Sequence, residues 1–187
     1  MQSNEVQDVT DQVLVELAGK GNISAYGCLY DRYINQIYRY VYFRLSNQME
    51  SEDLTEMVFL KTFEVVRQDR TKIDNFKAWI YRTAHNLIID HYWRKKPVPL
   101  EEAVCVHDPK PSPEMEVLNG EEHIALQRVI AKLEGVYQQV ITCRFINGLS
   151  YEETAQVMRM KPGNVRVTQF RALQKLRELL KKEGVSS

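Results

Sequence analysis

Residues 96–117 read KPVPLEEAVCVHDPKPSPEMEV and hold five of the six prolines of the chain: Pro97, Pro99, Pro109, Pro111 and Pro113. Each proline lacks a backbone donor and clashes with the preceding helical turn, so regular helix cannot run through them. The acidic residues between them repel one another and favour an extended chain. Residues 97–118 are therefore expected to form a flexible, acidic, Pro-rich linker. It leaves two parts, 10–96 and 119–183, each the size of a small domain.

Outside that segment the chain is rich in helix formers, and it has only eight glycines in 187 residues. An all-α fold is expected, as two small helical domains. At 44% hydrophobic residues the composition is sufficient for packed cores. Thr10 or Asp11 can cap a first short helix that Gly19-Lys20-Gly21 stops. A second runs from about Ser24 to Leu45 with Leu29, Tyr33, Ile37, Tyr40, Val41 and Arg44 in register. Ser51 is expected to cap a third helix, whose apolar line is Leu54, Val58, Thr62, Phe63 and Val66.

The second part reads as a helix with Leu126, Ile130 and Leu133, then one over Val136–Phe145 that Asn147-Gly148 closes. Ser150-Tyr-Glu-Glu153 is a capping box that starts a short helix over 151–158. Arg159-Met160-Lys161 turns the chain, and Pro162 fits the first turn of a last helix running to about Lys182.

The formal net charge is zero, but the charges are segregated. Residues 67–96 hold eight Lys/Arg against three Asp/Glu, and residues 158–187 hold eight against two. Residues 1–66 and 97–127 are net acidic, and residues 128–157 are neutral. Two separated basic blocks suggest two places that meet phosphate. No apolar run approaches the ~18 residues that argue for a membrane span. The N-terminus lacks the basic-then-apolar pattern of a signal peptide. The odd, scattered cysteines Cys28, Cys105 and Cys143 point to a reduced, cytoplasmic setting. His85, His91, His107 and His123 show no metal spacing with them, and no P-loop, dinucleotide turn or nucleophile triad is suggested. A non-enzymatic protein without metal, cofactor or small-molecule substrate is expected.

A short capped helix, a tight turn and a longer basic helix make a helix-turn-helix pattern. Val165, Ala172, Leu176 and Leu179 are expected to face inward on the last helix. Asn164, Arg166, Val167, Phe170, Arg171, Gln174 and Lys175 are the candidate duplex-DNA surface. Arginine pairs with guanine edges, and apolar side chains rest on thymine methyls. Read alone, the same pattern also suits a bundle helix with a wet, basic face.

The stretch NFKAWIYRTAHNLIIDHYWRKK, residues 75–96, carries rings on two sides of one helix. Phe76, Trp79, Ile80, Ala84, Leu87 and His91 share one face; Tyr81, His85, Ile88, Ile89 and Tyr92 share the opposite one. Between them run Arg82, Asn86, Ile89 and Trp93. Exposed rings and amides beside a basic loop suit single-stranded DNA, with Lys72, Arg82, Asn86, Trp93, Arg94 and Lys95 as candidates. The other reading is burial on two sides by neighbouring helices. Pattern favours burial for Trp79 and leaves both readings open for Arg82 and Asn86.

The segments TDQVLVELAGKGN, LYDRYINQIYRYVYFRL, EDLTEMVFLKTFE, FKAWIYRTAHNLIIDHYWRKK and GLSYEETAQVMRMKPGNVRVTQFRALQKLRELL together resemble a bacterial RNA polymerase sigma factor. Size and two-domain plan resemble the extracytoplasmic-function (ECF) group. The resemblance covers nearly the whole chain outside the linker. It implies a promoter-specificity subunit whose N-terminal domain binds core polymerase and the melted minus-ten element. The C-terminal domain would read the minus-thirty-five duplex. It implies that Asn86 lines a pocket for a flipped-out base, with the loop around Arg70–Asp74 helping to hold that base. It also implies that Asp53, Glu56, Met57 and Leu60 dock on the clamp helices of the largest catalytic subunit. The flap region, promoter DNA and an anti-sigma factor complete the partners that the resemblance admits.

The sequence departs from the family pattern at four of these places. Glu56 and Met57 stand where the family has glutamine and glutamate, and Val167 and Thr168 where it has serine and arginine. One DNA contact is expected to be lost at the latter pair. The alternatives are a helical adaptor that keeps the sigma shape without melting promoters, and a helix-turn-helix regulator with residues 1–96 as its effector domain.

Overall fold

The computed structural model describes residues 9–68, 73–95 and 121–182. The linker and Lys72 lie outside the described residues, as do the side chains of Lys95 and residues 121–125. Among the described residues every element is helical: α1 (Asp11–Gly19), α2 (Ile23–Leu45), α3 (Gln48–Gln68), α4 (Phe76–Lys95), α5 (Glu121–Ala131), α6 (Gly135–Ile141), a π-helical turn (Thr142–Ile146), α7 (Tyr151–Met158) and α8 (Pro162–Lys182).

The expected α2 stripe is buried throughout, from Leu29 to Arg44. Asn22 caps this helix by accepting from the Ala25 amide at 3.1 Å. Two expected caps are corrected. Thr10 occupies the N-cap of α1 without a side-chain bond, and Asp11 instead receives Arg32 at 2.5 Å and the Tyr33 hydroxyl. A carboxylate held by a guanidinium and a phenol from α2 ties the two helices together, which outweighs a local cap. Ser51 does not cap α3, which starts three residues earlier. Asn47 accepts from the Glu50 amide, and Ser51 is fully buried with its hydroxyl on the Asn47 carbonyl.

Leu14, Leu29, Ile37, Val58, Ile80, Tyr81 and Ile88 belong to one core built from α1–α4. Ile130, Leu133, Val140, Ile141, Ala155, Val165 and Ala172 belong to a second, built from α5–α8. The cores meet. Cys143, Leu149 and Val157 pack into the first, and Phe43 packs into the second. Fully burying such side chains contributes roughly 1.5–3 kcal/mol each, so the seam is a packed interface. Gln138 Nε2 donates to the Phe43 carbonyl at 3.2 Å, and Lys77 Nζ lies 3.1 Å from Glu153 Oε1. Tyr81 Oη is 3.2 Å from Asn147 Oδ1.

Candidate nucleic-acid and polymerase interfaces

The helix-turn-helix is set by local chemistry. Ser150 Oγ accepts from the Glu153 amide at 3.0 Å, and Glu153 returns to the Ser150 amide at 2.6 Å. Arg159 ends α7 in the left-handed region at φ 52°, and Pro162 opens α8. Val165 and Ala172 are buried on α8, with Leu176 and Leu179 packed beside them. This leaves Asn164, Arg166, Val167, Phe170, Arg171, Gln174 and Lys175 together on the exposed face. Phe170 is 62% exposed, a large ring held in water with no core to serve. Lys175 pairs with Glu178 at 3.2 Å. Thr168 turns its hydroxyl back to the Asn164 carbonyl.

Three residues that the sequence reading left out, Arg144, Tyr151 and Gln169, adjoin this surface. Arg144 and Arg166 both place their guanidinium carbons over the Tyr151 ring, at 4.0 and 5.0 Å from its centroid. Arg144 Nε also donates to Gln169 Oε1 at 3.1 Å. An aromatic directly after the capping serine, with arginines seven residues before and fifteen after it, was the available signal.

On α4 burial covers two faces and leaves a line between them exposed or half-buried. Phe76, Ile80, Ala84 and Leu87 are buried as expected. The opposite ring face is not a stacking platform: Tyr81 and Ile88 are fully buried in the first core, where Tyr81 packs edge-on to Tyr40. Asn86 is exposed between these faces, Arg82 and Ile89 are half-buried, and Trp93 at 67% and Arg94 are exposed. Tyr92 is 44% exposed, and its hydroxyl donates to the Arg44 carbonyl. On α3, Asp53, Glu56, Met57 and Leu60 share an exposed acidic and apolar strip, with Leu60 at 58%.

Residues 29–97 match the family Sigma-70 region 2, and residues 123–176 match Sigma-70, region 4. The ECF RNA polymerase sigma factor SigW of Bacillus subtilis is 30% identical over 87% of this chain and 92% of its own length. This chain is an ECF sigma factor. The ECF RNA polymerase sigma factor BldN of Streptomyces coelicolor is 35% identical over 89% of the chain, which spans 64% of that protein. The solved structure of CnrH in complex with the cytosolic domain of CnrY shares the fold, with a TM-score of 0.71 at 23% identity over 92% of this chain and 97% of that one.

The seam of this sigma factor concentrates unsatisfied polar atoms. Arg44 Nε and Nη1, His85 Nδ1 and Thr154 Oγ1 are all buried without a hydrogen-bond partner among the described residues. Burial, then the charges of Arg44 and Arg159, push the His85 imidazole down to about 4. Burial pushes the Cys143 thiol up to about 12, so it is not a nucleophile. Partial burial works against the Glu153 carboxylate, but the Ser150 amide and Lys77 outweigh it and hold its pKa below the usual value. Among the described residues no cluster of three His, Cys, Asp or Glu could hold a metal ion. Among them, too, no helix is long and apolar enough to cross a membrane.

Proposed function

We propose that this sigma factor binds core RNA polymerase in the cytoplasm through the outer strip of α3 and directs it to promoters. The N-terminal half of α8 reads the minus-thirty-five duplex. The Arg82–Asn86–Trp93 line of α4, with Arg94 beside it, holds one strand of the melted minus-ten element, and Lys72 and Lys95 are assigned to the same strand from the sequence alone. The observation that carries this reading is the exposed α8 face, where Arg166, Val167, Phe170 and Arg171 present guanidiniums and apolar groups side by side. That mixture matches a major groove, with its guanine edges and thymine methyls.

The two DNA surfaces cannot act together in the closed arrangement. The centres of the two elements lie about 25 base pairs apart, roughly 85 Å at 3.4 Å per step. A compact chain of this length has a radius of gyration of about 16 Å. The seam must therefore open on the polymerase. Residues 97–118 can span up to ~70 Å when extended. The closed arrangement and the acidic stretches also imply weak binding of DNA by the chain alone.

Run-off transcription with core polymerase on a promoter library tests this reading. Initiation at a defined promoter class supports it. Core binding without initiation at any promoter would instead make the chain an adaptor.

A further inference from the structure

Tyr151 is the first residue of α7, and its half-buried ring carries two guanidiniums. The inner one is fixed: Arg144 donates through Nε to Gln169 Oε1 and through Nη1 to the Leu149 carbonyl. The outer one, Arg166, stands on the exposed face of α8 with its guanidinium carbon over that ring, 5.0 Å from the centroid. An unrestrained arginine on such a surface loses much rotamer freedom when it meets a base. A ring that already holds the guanidinium removes part of that loss in advance.

We propose that Tyr151 is a positioning residue for Arg166. Its ring face, braced by Arg144 and Gln169, presets the Arg166 guanidinium to engage a guanine edge. It thereby sharpens the choice of base at one pair of the duplex. The proposal rests on the reading of α8 as the duplex-recognition surface. It differs from the ordinary use of a tyrosine near a helix N-terminus, which is to donate its hydroxyl to a phosphate. A phosphate contact needs the hydroxyl and carries no base information. Positioning needs the ring and acts at a single base pair.

The two roles separate in a selection of minus-thirty-five sequences from a randomised library, using holoenzyme assembled from core polymerase and the full chain. Arg166→Ala identifies the base pair that Arg166 reads. Tyr151→Leu should weaken the preference at that same pair by roughly two- to fivefold, the worth of an exposed cation–π contact. Tyr151→Phe should retain the preference, because the ring remains. Arg144→Gln, which removes the brace without touching α7, should weaken the same pair and guards against a Leu variant that fails to fold. An equal, uniform loss over all sequences in the Phe and Leu variants overturns the proposal in favour of a phosphate contact. An unchanged preference in folded Tyr151→Leu and Arg144→Gln also overturns it. If Arg166→Ala alters no base pair, the reading of α8 itself fails, which is a separate result.

Discussion

The carboxylate of Glu153 faces two ways: one oxygen accepts from the Ser150 amide at 2.6 Å, and the other lies 3.1 Å from Lys77 Nζ on α4. One side chain thus caps the first helix of the helix-turn-helix and pins it to the N-terminal domain. The two roles differ in strength. Loss of a cap costs roughly 0.5–2 kcal/mol, whereas a partly exposed ion pair is worth at most about 1 kcal/mol. Lys77→Met should therefore leave thermal melting almost unchanged, and Glu153→Ala should lower it clearly. The sign with pH follows from the depressed Glu153 pKa. Its contribution is present above the unfolded carboxylate value and is lost as pH falls through the folded one. A melting loss in Lys77→Met as large as in Glu153→Ala would refute this ranking.

His85 titrates with the opposite chemistry but the same direction. Its folded pKa, about 4, lies below the ordinary 6.5 because burial and the cations Arg44 and Arg159 disfavour imidazolium. Between those values the unfolded chain binds the proton and the folded chain does not, so stability falls as pH drops from 6.5 toward 4. The loss is of order 1–3 kcal/mol. His85→Gln should flatten this slope while keeping a neutral polar group in place. Parallel melting curves for the two proteins across that range would contradict the assignment.

The elements that the sequence exposed most clearly were those whose partners lie within a few residues. The capping box needs only Ser150 and Glu153, and the α2 stripe needs only its own period. Ser51 has the chemistry of a cap, which by itself points to a later start for α3 than Gln48. Its burial, with its hydroxyl on the Asn47 carbonyl, depends on the preceding turn. The two-sided ring pattern of α4 was visible but ambiguous. Periodicity says that a face is apolar and is silent on whether a base or another helix covers it. For Tyr81 the cover is Tyr40 of α2 together with Asn147, 66 residues away, a contact that local periodicity cannot record.

Asn86 is the residue where those readings part. It is exposed between two buried faces, so its side chain holds up no core. Asn86→Ala should leave melting within about 0.5 kcal/mol of the parent. It should reduce initiation on duplex promoters by about tenfold, the scale of one lost bidentate base contact. Initiation from a template already mismatched over the minus-ten element should suffer less, since the cost of unpairing has been removed. Full activity on duplex DNA would remove Asn86 from the proposed base pocket.

Arg44 gives the seam its bias. It is 6% exposed, and its Nε and Nη1 have no partner. Its charge acts against the neighbouring imidazole of His85, where Arg159 adds another cation. A place in the last turn of α2 favours a cation by about 0.3–1 kcal/mol. Leaving buried charged donors unpaired costs more, at least 1–3 kcal/mol. With no acidic partner to strand among the described residues, removing the charge relieves a penalty rather than creating one. Arg44→Met keeps the length and apolar contact of the side chain. It should therefore stabilise the closed arrangement, raising the melting temperature and the fluorescence energy transfer between dyes on α1 and α8. A seam made harder to open should slow initiation by roughly tenfold for each ~1.4 kcal/mol gained, with core binding retained through α3. Lower melting and weaker energy transfer in Arg44→Met would show instead that the guanidinium holds the two halves together.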